Sequence, residues 1–319
     1  MLSSLSFLLA LLFALLMGLA IQRGSTCMVA AVEQALQRKR PTKLAAILEA
    51  SLWAGTALLI LRELGRQVQI PSGYPVTGTL ALGAVLLGLG AFTNRACLFG
   101  TVARLGSGEW AYAATPLGYF LGCLAGAYFL PSAYPAAFQQ SPPLFLAPSA
   151  LVWVLGCAVA LRIVWVLFKP RERVWSPHAA TATIAIAFVA MVLLAGAWSY
   201  SDVIADLAHG MAHSVGWRAG LALAMLAGAF GSGWVAGLWR PKMPTPSTVL
   251  RCLGGGFLMG YASLLIPGGN DVLLLIGMPL LWPYAWLAFA IMGTTIAAAV
   301  AIERLTKEDR QRESAETLE

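Results

Sequence analysis

Charged residues are scarce in this chain. Only 11% of its 319 residues are charged, whereas 59% are hydrophobic and the mean hydropathy is +0.76. A soluble globular domain carries about 25% charged residues. The shortage therefore excludes a soluble globular fold, and it predicts an all-α polytopic membrane protein built as one bundle of helices.

Patterns for metals, disulfides and nucleotides are missing as well. No two of the five cysteines have C-x-x-C spacing, and their odd number argues against a disulfide framework. His209 and His213 have the four-residue spacing of a metal pair on a helix, but no third ligand accompanies them. No G-x-x-x-x-G-K-[ST] motif occurs, which excludes a phosphate-binding loop of that type. We predict no cofactor and no metal site.

Long apolar runs are what the sequence has in abundance. A helix needs about 20 mostly apolar residues to cross a bilayer, and about nine segments meet this requirement. They lie near 4–22, 44–62, 76–93, 111–130, 148–168, 179–199, 217–238, 250–266 and 284–302. We predict a single transmembrane domain over residues 1–302 and a charged tail over 303–319, which is either a solvated helix extension or disordered.

Basic residues mark one side of the predicted bundle. Lys and Arg concentrate in the connections 33–43, 169–175 and 239–251, whereas the alternate connections are poorer in them. Cytoplasmic loops carry the excess of Lys and Arg. We therefore predict that the N-terminus lies outside and that the C-terminal tail is cytoplasmic. Because the bases sit in short loops between apolar runs, the net charge of +7 does not indicate a nucleic-acid partner.

One short pattern occurs twice, 70 residues apart. The runs LMGL (16–19) and LLGL (86–89) each lead through a polar, glycine-containing break to a cysteine, Cys27 or Cys97. Many transporters build their substrate site from broken helices in repeated units. A thiol is soft and polarizable and donates only a weak hydrogen bond, which suits a sulfur-bearing ligand better than a hard oxyanion. We predict that Cys27 and Cys97 line a substrate pathway.

Three connections are too apolar and too rich in glycine to be ordinary loops. They cover residues 24–33, 96–106 and 267–279. We predict that each forms a short helix that dips into the membrane and returns. Non-helical backbone at that depth must be buried in protein or line a watery cavity. An inward-pointing helix N-terminus would also offer partial positive charge to an anion.

The third of these connections has a polar centre. Gly268 and Gly269 interrupt the apolar run, and Asn270 and Asp271 follow them. We predict that the backbone amides of the two glycines, together with Asn270, shape one wall of the pathway. Either Asn270 or Asp271 is expected to cap the helix that restarts there.

Three arginines flank the cysteines. Arg95 is predicted to attract an anion to the pathway, and Arg23 and Arg104 form a candidate anion vestibule. The alternative is that the three side chains lie at helix ends and extend to the membrane interface, which is common for Arg.

At these residues the chain resembles the YeeE/YedE family of bacterial inner-membrane proteins, whose characterised members transport thiosulfate. The motifs are GSTC (24–27), NRACLFG (94–100) with RLGSG (104–108), and R-x-x-G-G-x-x-L-M-G (251–260) leading to PGGND (267–271). The resemblance implies about nine transmembrane helices and short re-entrant helices in two pseudo-symmetric halves, roughly 1–147 and 148–302. It further implies a multi-pass inner-membrane protein that takes up thiosulfate through a constriction lined by cysteines, by S–H···S hydrogen bonds without a covalent bond.

One departure from the family leaves alternatives open. Gly269 stands where members with thiosulfate activity have a further pathway cysteine, so either a third thiol is dispensable or the substrate is a related sulfur species. A membrane-bound thiol enzyme (a sulfurtransferase or an oxidoreductase) is a second reading, but no His or C-x-x-C context supports it. A third is a membrane partner subunit for a cytoplasmic sulfur-carrier protein. We predict a transporter rather than an enzyme, with thiosulfate and the lipid bilayer as its partners.

Overall fold

The structure, a computed structural model, describes residues 4–65, 71–130, 135–137, 140–168 and 175–316. Within these ranges the chain is helical and contains no β-strand, which confirms the predicted all-α class. The helices are α1 (Ser4–Gly24), α2 (Met28–Arg38), α3 (Thr42–Glu63), α4 (Gly78–Asn94), α5 (Leu98–Gly106), α6 (Ala114–Phe129), α7 (Ser149–Leu167), α8 (Pro177–Ala195), α9 (Tyr200–Ala208), α10 (Ala212–Val235), α11 (Pro246–Leu265), α12 (Asn270–Val272) and α13 (Pro283–Glu316). Helix α12 continues into a π-helical turn, Leu273–Gly277.

The long helices coincide with the apolar segments predicted from the sequence, which fall on α1, α3, α4, α6, α7, α8, α10, α11 and α13. Six helical segments of the described chain are long and apolar enough to cross a membrane. They are Ser4–Arg38, Thr42–Glu63, Gly78–Gly106, Pro177–Ala195, Pro246–Leu265 and Pro283–Glu308. The protein is therefore a multi-pass membrane protein, while nine crossings remain a prediction. The charged tail is helical as far as Glu316, as an extension of α13.

A short helix follows a long one at four places in the described chain: α2 follows α1, α5 follows α4, α9 follows α8, and α12 follows α11. Helices α5 and α12 lie within the predicted connections 96–106 and 267–279, whereas α2 begins in the connection 24–33 and continues past it to Arg38. That these helices dip into the membrane stays a prediction. The fourth, α9, lies between the predicted segments 179–199 and 217–238, where Asp202, Asp206 and His209 make the sequence polar.

A single sequence offset relates two sets of helices. Moving α1 forward by 172 residues gives 176–196, which matches α8, and moving α4 gives 250–266, which matches α11. The same offset carries α2, α3, α5 and α6 onto α9, α10, α12 and α13. Helices α1 to α6 are called the first set below, and helices α8 to α13 the second set. Helix pairs that the offset relates also pack in the same way. Helix α1 packs on α10, and the related helix α8 packs on α3. Likewise α4 packs on α13, and the related helix α11 packs on α6. Helix α7 has no counterpart among the described helices and packs against α3 and α8.

Glycines allow the central helices to touch backbone to backbone. At the crossing of α6 and α11, a Cβ added to Gly256 would strike the Thr115 carbonyl, and one added to Gly260 would strike the Tyr119 carbonyl. Small residues permit such close approach, which favours association of membrane helices through van der Waals contact. The tight α6–α11 pair holds the start of α12 at a fixed place beside the centre of the bundle.

Candidate substrate pathway

Cys27 and Cys97 occupy equivalent positions at the starts of two short helices. Cys27 is the N-cap residue of α2, and Cys97 is the N-cap residue of α5. Each preceding long helix ends near a residue with left-handed backbone, Ser25 (φ 46°) or Arg95 (φ 60°). Both cysteines are buried, with exposed fractions of 7% and 2%. The repeat of the sequence is thus a repeated helix–break–helix unit with a thiol at the break.

The two cysteines contact each other's helix start. The Cys97 N–H donates to Cys27 Sγ at 3.5 Å, and the Met28 N–H donates to Cys97 Sγ at 3.4 Å. The first N–H groups of a helix have no partner within the helix. Each sulfur therefore supplies a soft acceptor beside the positive end of a helix dipole, at the start of α2 or α5. The structure brings together the two thiols that the sequence repeat singled out.

Oxygen replaces sulfur at the corresponding place in the second set. Ser199 is the N-cap residue of α9 and Gly269 that of α12, again 70 residues apart. The Gly269 N–H donates to Ser201 Oγ at 3.2 Å. In turn, the Ser201 hydroxyl donates to Asp271 Oδ1 at 2.6 Å, and the Ser201 N–H donates to Asp271 Oδ2 at 3.0 Å. The second pair of helix starts is therefore joined by hydroxyl and carboxylate groups.

Asn270 joins the two sets. The Leu98 N–H at the start of α5 donates to Asn270 Oδ1 at 3.3 Å. Asn270 caps α5 and Asp271 caps α9, so both side chains bind the start of a neighbouring helix. The reason is that the helix starts meet, so that each side chain reaches a neighbour's free N–H. The Asp271 carboxylate also interacts with the backbone of Asp271 and Val272 at the start of α12, in line with the capping predicted for it. The N-cap of α12, Gly269, has no side chain to offer.

Two further residues shape the space around Cys27. The Thr26 hydroxyl is buried and has no hydrogen-bond partner among the described residues, so it is a free donor beside the thiol. Gly100, one turn into α5, lies against Cys27, and a Cβ added there would be 2.5 Å from Cys27 Sγ. Only glycine leaves the sulfur where it is, which accounts for Gly100 in the NRACLFG motif.

A cavity of about 450 Å³ lies beside this centre. Its polar wall contains Tyr119, Asp202, Asp206, His209 and Ser263, and Gly268 also lines it. Gly268 has φ 88°, a backbone conformation that side chains rarely adopt, and its turn delivers Gly269 and Asn270 to the helix starts. The predicted pathway residues of the third connection thus lie between the cavity and the cysteines.

The three predicted arginines are all engaged with other side chains. Arg95 forms two hydrogen bonds of 2.6 Å with the Glu303 carboxylate on α13. Arg104 pairs with Glu109 at 3.1 Å, and the Nε of Arg23 donates to the Ser232 hydroxyl at 3.0 Å. Their part in attracting an anion stays a prediction, and the carboxylates lower the net positive charge around Arg95 and Arg104.

No three His, Cys, Asp or Glu side chains cluster as metal ligands in the described part of the chain. The side chain of His213, the second member of the His209 pair, lies outside the described residues.

Sequence reasoning missed the polar groups of the second set, Ser199, Ser201 and Asp202. The signal was present as the offset of 172 residues, which carries Cys27 onto Ser199, Gly24 onto Gly196 and Cys97 onto Gly269. The offset is hard to recognise in the sequence because the matching positions of the two sets share glycines and have different polar side chains.

Comparison with known proteins agrees with this architecture. No curated protein matches the chain. A family model described as Sulphur transport matches residues 23–298, a range that includes both cysteines, the Gly268–Asn270 turn and Ser199. Since that range is well over half of the sequence, the chain belongs to the Sulphur transport family, the YeeE/YedE family.

Proposed function

We propose that this protein is a permease that takes up thiosulfate, with Cys27 and Cys97 contacting the ion in turn. The observation that carries the proposal is the reciprocal arrangement of the two thiols. The Cys97 N–H donates to Cys27 Sγ, and the N–H of Met28, the residue after Cys27, donates to Cys97 Sγ. Membership of a sulfur transport family supports a sulfur-containing anion as the substrate.

The surroundings of the thiols suit an anion that carries a terminal sulfur. Thiols are soft donors, so they match the terminal sulfur of thiosulfate. The free Thr26 hydroxyl and the positive ends of α2 and α5 suit its sulfonate oxygens. Hydrogen bonds of this kind form and break without covalent chemistry, so the ion would pass from one thiol to the other unchanged.

The proposed arrangement in the membrane has nine crossings, with the short helices α2, α5, α9 and α12 re-entering at the centre. The N-terminus would lie outside and the α13 tail in the cytoplasm of a bacterial cell, because the basic connections fall on one side. The helix correspondence supports two pseudo-symmetric halves, with α7 beside their predicted boundary near residues 147 and 148. A cytoplasmic sulfur carrier that accepts the product remains a predicted partner.

The lack of a third cysteine has a steric basis. A Cβ on Gly269 would lie 2.8 Å from both the Cβ and the Oγ of Ser201, and 2.8 Å from Asp271 Oδ1. A cysteine therefore does not fit at this position unless Ser201 moves. This favours a pathway that works with two thiols.

The test is uptake of ³⁵S-labelled thiosulfate by cells that lack other sulfur importers. We expect uptake with the wild-type chain and near-complete loss with Cys97→Ala at equal expression. Cys252→Ala is the matched control, because Cys252 is also buried but lies within α11, away from the helix starts, and it should retain uptake.

The outcomes separate the parts of the proposal. No uptake by the wild type in cells that take up a control sulfur source would exclude thiosulfate as the substrate. Uptake that survives Cys97→Ala would show that the thiol only packs. Equal loss in the Cys252 variant would point to a general effect on folding rather than to the pathway.

A further inference from the structure

The second set of helices places a buried carboxylate beside the proposed anion pathway. Asp271 is 1% exposed, and its two oxygens accept the Ser201 N–H and O–H. It forms no ion pair with any described residue. A buried carboxylate without a cation is costly in its ionised form, so it favours binding a proton.

A second carboxylate connects Asp271 with the cavity. Asp202 lines the cavity of about 450 Å³ and lies close enough to Asp271 for the two carboxylates to interact electrostatically. Ser199 and Ser201 lie between them: the Asp202 carboxylate hydrogen-bonds with the Ser199 side chain, and the two serine hydroxyls are 3.1 Å apart. Hydroxyl groups both donate and accept, so this chain can carry a proton from the cavity to Asp271.

A buried donor without a well-formed hydrogen bond points to a ligand at the same place. Tyr119 is fully buried and lines the cavity with Asp202 and Ser263, and its hydroxyl has only a weak contact with Ser263 among the described residues. A buried polar group without a partner costs about 1–3 kcal/mol. A ligand oxygen in the cavity would satisfy it.

Seven charged or titratable side chains of the described residues line the cavity or act on Asp202. On α9 they are Asp206 and His209, on α6 Tyr119 and Cys123, on α10 Arg218, on α12 Asp271, and on α13 Tyr284. Arg218 is held by Asp206 at 2.9 Å, so the nearest positive charge is already paired. Acids outnumber bases around the cavity, which opposes entry of an anion as long as the carboxylates remain ionised.

The energetics of anion uptake supply the reason for such a site. Moving one elementary charge across a membrane potential of 100 mV costs about 2.3 kcal/mol. Thiosulfate is a dianion, and its uptake into a cell with a negative interior therefore needs a compensating positive charge.

We propose that Asp202 and Asp271 form a proton-binding site that couples entry of the anion to entry of protons. The inference rests on the proposed function. A proton bound at Asp202 removes the repulsion at the cavity, passes along the two serines to Asp271 and is released on the cytoplasmic side with the anion. The first set carries Ala30 and Phe99 at the corresponding positions, so the proton site belongs to the second set alone.

The test uses the purified full-length protein in liposomes that contain a pH-sensitive dye. Uptake of ³⁵S-thiosulfate and acidification of the interior are recorded together, with and without an inward proton gradient. For the wild type we expect uptake to increase at least about tenfold with the gradient, which corresponds to about 1.4 kcal/mol. Addition of thiosulfate should also acidify the interior.

Two variants locate the site. Asp202→Asn should lose acidification and gradient-driven uptake, yet it should still exchange external for internal thiosulfate, since exchange needs no net proton movement. Retained exchange also shows that the variant is folded. Glu308→Gln is the control, because Glu308 is exposed on the α13 extension and does not line the cavity, and it should keep coupled uptake.

The results that overturn the inference differ from those that overturn the function. Wild-type uptake without acidification, at one rate with and without the gradient, would exclude proton coupling and leave the permease intact. An Asp202→Asn variant that keeps coupled uptake would exclude the assigned site. No thiosulfate movement by the wild type under any gradient would overturn both the function and the coupling.

Discussion

The two sets of helices meet at the centre with the same backbone and different chemistry. In the first set, the N–H of Cys97 is satisfied by the sulfur of Cys27. In the second, the corresponding N–H of Gly269 is satisfied by the oxygen of Ser201. The backbone requirement, an acceptor for the free N–H groups of a helix start, is kept in both sets. The identity of the acceptor is free to differ, and one bundle can thus offer sulfur and oxygen to the same ligand.

The largest effect is expected where the first set is most crowded. Gly100→Ala would place a Cβ 2.5 Å from Cys27 Sγ and displace the thiol. Overpacking of this kind costs about 1–3 kcal/mol, and we expect uptake of ³⁵S-thiosulfate to fall about tenfold or more. Gly254→Ala is the control, since a Cβ there meets nothing within 4 Å. Equal uptake by both variants would show that the position of Cys27 is unimportant.

A smaller effect is expected at the matching crowded point of the second set. Gly269→Ala would press on Ser201 and loosen its contact with Asp271, so we expect uptake to fall about threefold to tenfold, as a shift of about 1 kcal/mol implies. Gly269→Cys should be impaired for the same reason. Adding Ser201→Gly to the Gly269→Cys variant makes room and should recover exchange of external for internal thiosulfate, which does not need the proton relay through Ser201. If Gly269→Cys alone transports faster than the wild type, the steric account of the missing cysteine is wrong.

The Arg95–Glu303 pair tests whether charge beside the first set attracts the anion. Glu303→Gln frees the Arg95 guanidinium, so we expect a KM for thiosulfate about twofold lower. The variant should also lose about 1 kcal/mol of stability, which a thermal-shift measurement would detect as a lower Tm. Glu308→Gln on the exposed part of the same helix is the control. An unchanged KM would leave Arg95 as a structural tie alone.

The smallest effect is expected outside both sets. Cys157 lies exposed on α7, so Cys157→Ser should change neither uptake nor Tm. Both are measured as for the other variants. Loss of uptake would extend the pathway to α7 and end the comparison between two equivalent sets.

Sequence patterns predicted the long helices and the cysteine pair because both depend on local features. Apolar runs determine where a membrane helix forms, and the 70-residue repeat marked Cys27 and Cys97. Helix α9 was missed, because its acids give it the composition of a loop. The partner of Arg95 was also missed, since Glu303 lies 208 residues away and only the packing of α13 on α4 joins them.

The capping contacts could not be predicted from local sequence either, because they join residues that are far apart in the chain. Whether Asn270 caps its own helix or α5 depends on which helix starts meet, and this is decided by packing across the bundle. A position offset without shared side chains gives no local signal either. The chemistry of the second set therefore emerged only from the folded arrangement.

Helix α7 determines how the second set of helices is oriented in the membrane relative to the first. Among the described helices, each set contains four long ones, so with the nine crossings proposed above a set begins and ends on the same side of the bilayer. The single passage of α7 turns the second set upside down relative to the first. The two mouths of the pathway then have the same arrangement of helices and face opposite compartments. Two chains that each carried one set would recreate the pathway only by inserting in opposite directions.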